Sequence, residues 1–171
     1  MRISSLFVAL ALLFAACGPS AEQQKLLSDF KATVAKMDSL DSAFQKQEQE
    51  MEKEHSEMEK KHDELKAKGA EIPAHDSIIA AHRNLTKAHE AAHEAHKKTI
   101  ADHKAKIETF TKQMPPVEDL KKALASAMSD LDNLKSDCER MSQDHAQMRK
   151  DHAQMEADHA ALAAQKDKTK K

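Results

Sequence analysis

The chain has 171 residues, with 27 Lys and Arg against 29 Asp and Glu and a formal net charge of −2. That balance leaves no electrostatic footprint for nucleic acid. Two cysteines, two glycines and no Trp or Tyr exclude a disulfide framework and describe a chain of long helices.

The front reads MRISSLFVALALLFAAC. Arg2 supplies a positive start, Leu6 to Phe14 an apolar run too short to span a bilayer, and Ala15 and Ala16 the small residues of a cleavage site. Cys17 follows at once, then Gly18-Pro19-Ser20. This resembles the lipobox of bacterial lipoproteins, with Phe14 where the family usually has an aliphatic residue. The resemblance implies removal of residues 1–16 as a signal peptide and lipidation of Cys17. It further implies a membrane anchor through the lipid chains and, with Gly18 rather than Asp next, the outer membrane. Cys138 is then the sole free thiol, and no intramolecular disulfide can form.

Breakers cut the remainder into three segments. The first runs from about 20 to 68, opened by Ser20 and Gln23 as a capping box. The second starts at Pro73, after "KGAEIP", and runs to about 113. The third starts at Pro116, with Glu118 and Asp119 in its first turn, and reaches about 165 before a basic tail at 166–171. Short links make neighbouring helices antiparallel. The expected fold is all-α, one elongated antiparallel three-helix coiled-coil bundle occupying 17–171. A less compact alternative is a hairpin whose third helix pairs with another copy.

Each segment carries heptad rows. In the first, Phe30, Met37, Phe44, Met51, Met58 and Leu65 accompany Leu27, Val34, Asp41, Glu48, His55 and His62. In the second, Ile79, His93, Ile100 and Ile107 accompany His75, His82, His89, His96, His103 and Phe110. In the third, "DHAQM" recurs, so Leu131, Cys138, His145, His152 and His159 accompany Leu134, Met141, Met148 and Met155. Folding at the two hinges brings His55, His62, His75, His82, His145, His152 and His159 to the end farther from Cys17. Met58, Met148 and Met155 arrive with them. The opposite end collects an apolar core.

Imidazole suits Zn, Cu and Ni, and thioether adds a preference for Cu(I). Histidines seven apart on one helix stand about 10 Å apart along its axis, so chelation has to cross between helices. The exception is "HEAAHEAH", where His89 with His93, or His93 with His96, can share an ion on one helix. Asp144, Asp151 and Asp158 each precede a seam histidine and stand ready to accept its remaining ring N–H. "HEAAH" at His89, Glu90 and His93 resembles the zinc motif of the zincin proteases. The resemblance stops there, because position 96 is His where metzincins have Gly, and position 99 is Thr. Glu-x-x-His at Glu52–His55, Glu59–His62 and Glu156–His159 resembles the di-iron carboxylate bundles, which need four helices.

The reading is a lipid-anchored, non-catalytic envelope module that binds or spaces, with transition-metal binding its specific form. A purely structural coiled coil that associates with itself or an envelope protein stays open beside it, as do pH sensing by the eleven histidines and a metal-dependent enzyme using HEAAH.

Overall fold

The computed structural model describes residues 18–68 and 72–169, with only the backbone of 166–169. The signal segment and Cys17 lie outside the described residues. Three helices follow in order: α1 (Ala21–Ala67), α2 (Pro73–Lys112) and α3 (Val117–Thr169). Their boundaries have local causes. Ser20 caps α1, its Oγ accepting from the Gln23 N–H at 3.1 Å while Gln23 Oε1 accepts from the Ser20 N–H at 2.8 Å. Pro73 opens α2, and the Pro116 carbonyl accepts from the Asp119 and Leu120 N–H groups in the first turn of α3. Ser20→Ala is expected to lower stability by about 1 kcal/mol, read from urea unfolding. α3 continues past 165, where the basic tail was expected, because no Gly or Pro interrupts the run to Thr169.

The helices pack on one another as an up-down-up bundle, so α1 and α3 run parallel with α2 antiparallel to both. Partners on α1 and α3 keep a constant offset: His55 meets His152 and His62 meets His159, both 97 residues apart. Ion pairs along the outer edges share this register. Arg149 holds Glu54 and Lys61 holds Glu156 between α1 and α3, and Arg83 holds Glu59 between α1 and α2. Each is exposed and adds little stability, but together they disfavour a slipped register. Gln23 Nε2 donates to the Pro115 carbonyl at 2.8 Å, tying the start of α1 to the α2–α3 link.

The core has two halves. Near the α1 start, Leu27, Phe30, Val34, Met37, Leu120 and Leu134 are buried in one apolar cluster. That half was expected to be purely apolar, yet His103 is buried in it. Asp130 accepts its Nε2–H at 2.9 Å, and the ring stands edge-on to Phe30 at 5.7 Å. The distal half has only a small apolar cluster, Met58, Met155 and Ile79. The rest of its seam is mostly histidine, with buried Met51 and Met148 between the histidine layers.

Candidate metal centre

One histidine row and one aspartate row face each other between α2 and α3. His75, His82, His89, His96 and His103 place Nε2 at 3.1, 2.9, 3.0, 3.1 and 2.9 Å from Asp158, Asp151, Asp144, Asp137 and Asp130. An ionised carboxylate only accepts, so each Nε2 carries the proton and each Nδ1 of a neutral ring presents a lone pair. The aspartates therefore serve the histidines of α2, not those that follow them on α3. Adjacent residues on a helix point in different directions, so an Asp and the His after it cannot share a partner line.

In the layer nearest the far end, His62, His75 and His159 meet, with exposures of 1, 1 and 6%. His62 donates its Nε2–H to Asp76 at 3.1 Å, and His75 donates its own to Asp158. Their bare Nδ1 atoms lie 3.4 and 2.9 Å from His159 Nε2. One hydrogen, on His159, thus serves three convergent nitrogens. One heptad inward, His55, His82 and His152 repeat the plan. His55 Nε2 faces Glu59 at 2.8 Å and His82 Nε2 faces Asp151 at 2.9 Å. His55 Nδ1 accepts from His152 Nε2 at 3.2 Å, while buried His82 Nδ1 has no hydrogen-bond partner. A further heptad inward, Glu48 takes the α1 place. Its oxygens lie 3.3 Å from His89 Nδ1 and 3.0 Å from His145 Nε2, and His145 stacks on Phe44.

In each of these three groups the ligand atoms all lie within 4.8 Å of one another. A tetrahedral zinc with Zn–N bonds of about 2.0–2.1 Å needs nitrogens roughly 3.3 Å apart. Three of the six edges in the two all-histidine layers, at 2.9, 3.2 and 3.4 Å, lie near that value, and the others are within 4.8 Å. These three buried groups could each hold a metal ion.

Electrostatics divides them. Burial, reinforced by the charges of His82 and His55, holds His152 down at about 4. Burial also lowers His55, against the pull of Glu59, and lowers His159 with help from His75 and His62. His55, His152 and His159 thus favour neutral rings with lone pairs to give. In the third layer burial pushes Glu48 up, but hydrogen bonds and charge from His145 and His89 win and hold it at about 2. Burial opposes the charged form of His89, and Glu48 and Asp144 raise it nevertheless. That layer favours an internal ion pair.

His93 and His96 stand apart from all three groups, with Nδ1 atoms 3.0 and 3.8 Å from Asp41 Oδ1. Within HEAAH, His89 turns to Glu48 and Asp144, His93 turns to Asp41, and Glu90 is exposed. Met58 and Met155 pack on Ile79, and Met148 is buried in the heptad between the second and third layers. Glu48, Asp76 and Asp41 were not among the metal-site candidates read from the sequence, and Glu59 was matched there with His62, whereas it faces His55. Glu48 and Asp41 were visible there only as acids in an α1 seam row. A groove between α1 and α3, lined by Glu54, Glu57 and Glu156 with Lys61 and Arg149, opens onto Met58 and His152. No helix among the described residues is long and apolar enough to cross a membrane. No family model, no curated protein and no solved structure matches the chain, so the case for function rests on its own residues.

Proposed function

We propose that this protein is a lipid-anchored, non-catalytic helical module of the bacterial envelope that holds zinc-class divalent ions in its two all-histidine layers. The observation that carries this is the convergence of three buried imidazole nitrogens in each of two layers at heptad spacing, with one hydrogen between the three in the first layer and His82 Nδ1 left without a hydrogen-bond partner in the second. A bound cation would replace that hydrogen and use every lone pair.

Carboxylates around each layer support metal ligation. Asp76 and Asp158 hydrogen-bond the rings of one layer, and Glu59 and Asp151 contact those of the other. Asp76 is shared with Lys66 and Glu59 with Arg83, and the four carboxylates orient the rings as outer partners of metal-bound histidine do. Three nitrogens from three helices suit a tetrahedral ion with one outside ligand and do not suit square-planar Ni²⁺ or Cu²⁺. Neighbouring Met58 and Met155 make Cu⁺ the competing ion.

The test uses the Cys17→Ser chain, which is free of lipid, titrated with Zn²⁺, Ni²⁺, Cu²⁺ and Cu⁺. Tight stoichiometric zinc binding is expected, reduced by His62→Leu and by His82→Leu. Affinity no better than that of a free His-containing peptide would rule the proposal out.

A second reading is favoured by one observation. The His–Asp pairing continues through His96–Asp137 and His103–Asp130, where no group of three ligands forms. There the polar seam fixes helix register, the use of buried polar residues best attested in coiled coils.

A further inference from the structure

We propose that Glu48, His89 and His145 form a separate site for one divalent ion harder than zinc, Fe²⁺ or Mn²⁺, held by one carboxylate and two imidazoles. All three helices contribute: Glu48 on α1, His89 on α2 and His145 on α3. The layer stands one heptad inward from His55, His82 and His152. It does not rest on zinc filling the all-histidine layers.

The two oxygens of Glu48 address different rings. Oε1 lies 3.3 Å from His89 Nδ1 and Oε2 lies 3.0 Å from His145 Nε2, and the ligand atoms of the three residues all lie within 4.8 Å of one another. The 3.0 Å contact is not aligned as a hydrogen bond, and both of its atoms are buried without any hydrogen-bond partner. Asp144 accepts the Nε2–H of His89 at 3.0 Å and so aims Nδ1 at Glu48. Phe44 stacks on His145 with ring centroids 5.8 Å apart and holds that ring in place. Glu48 is the least buried of the three ligands, its side chain 15% exposed. Beside it a groove between α1 and α3, lined by Gln47, Glu50, Ser142 and Arg149, reaches His145. The groove gives an ion a way in and water a place to complete its coordination.

Ligand type separates this layer from its neighbours. Three imidazoles with no anionic ligand suit zinc and copper, whereas a carboxylate in place of one ring raises the relative affinity for the harder Mn²⁺ and Fe²⁺. Two histidines, one carboxylate and open positions are the set that non-haem Fe²⁺ takes. In the metal-free chain His89 shares a hydrogen with Glu48 across the 3.3 Å contact. When the ion binds, that N–H bond at Nδ1 breaks, a metal–nitrogen bond forms and the proton leaves to solvent. The Nε2–H of His89 stays with Asp144.

The probe is Mn²⁺ added to the Cys17→Ser chain, because free aqueous Mn²⁺ has a sharp electron paramagnetic resonance spectrum that collapses on binding. One Mn²⁺ per chain is expected to leave that signal. Glu48→Gln should weaken the binding by more than about tenfold with helical circular dichroism retained, since even the loss of an outer partner costs that much. His82→Leu, which removes a ring from the next layer, should leave Mn²⁺ binding as it is while reducing zinc uptake. Manganese uptake and zinc uptake can therefore fail separately. A free-Mn²⁺ signal undiminished by the parent chain overturns the site, and that outcome needs no variant to interpret. Binding that survives Glu48→Gln marks an ion on exposed surface acids and overturns it equally. Loss of binding with His82→Leu puts the ion in the all-histidine layer and does the same.

Discussion

Saturating Zn²⁺ is expected to raise the melting temperature of the Cys17→Ser chain by about 5–10 °C for each histidine layer that fills. An ion that binds only the folded chain stabilises it by about 2.7 kcal/mol at a free concentration of 100 Kd. For a chain of this size each kcal/mol corresponds to about 2–4 °C. Circular dichroism melts with zinc, and again after a chelator, measure the increment. A sharper version replaces His55, His82 and His152 together with Leu. The metal-free melting temperature should then rise, because three buried rings whose nitrogens crowd one another give way to apolar packing. The zinc increment should fall by one layer in the same variant. A purely structural role for the imidazoles predicts the rise without the fall. Equal melting temperatures with and without zinc in the parent chain would remove the metal proposal altogether.

Acid is expected to loosen the distal half of the metal-free chain before the apolar half. His152 has an ordinary value of 6.5 and is held at about 4 by burial and by the charges of His82 and His55, with Glu54 and Asp151 pulling the other way. The folded form therefore binds fewer protons than the unfolded form between those values. The stability linked to His152 is present above about pH 6.5 and lost as pH falls toward 4. A shift of this size corresponds to roughly 3 kcal/mol from one residue. His55 and His159 are lowered too and act in the same direction. His89 has the opposite sign, since its raised value favours folding below 6.5 and loses that contribution as pH rises through it. Glu48, held near 2, keeps its contribution at every pH above its ordinary value of 4.5 and loses it only as pH falls through about 2. Protection factors from hydrogen exchange at pH 7.5, 6 and 5, each taken against the intrinsic amide rate at that pH, should therefore fall around His55–His62, His75–His82 and His152–His159. Leu120–Leu134 should stay protected. Unchanged protection factors over that range, or greater stability at pH 5, would contradict neutral rings at His55, His152 and His159.

The sequence was legible wherever a local cause decides the outcome. Ser20 with Gln23, Pro73 and Pro116 stop or start helices through backbone chemistry that needs no distant partner. The heptad rows followed from the 3.6-residue turn and named the buried faces. Two short hinges then sent His62, His75 and His159 to one end. Other features were legible only as candidates. Glu48 and Asp41 stood in a seam row, but an acid in such a row has no ligand signal until its neighbours are known. The aspartates before His145, His152 and His159 were visible, yet they pair across to α2.

The sequence by itself determined the helical class, the three segments and the gathering of imidazoles at one end, because helix propensity, breakers and periodicity are properties of short stretches. The tertiary structure alone decided which residues share a layer, since a layer is set by the axial register of three helices, such as the constant offset of 97 residues between α1 and α3. It also decided which ring nitrogen keeps its hydrogen. Asp76, Asp151 and Asp158 reach their histidines from another helix, whereas Glu59 stands one turn after His55 on α1. That choice turns a row of tolerated polar residues into convergent lone pairs, and it depends on carboxylate positions that no single helix carries.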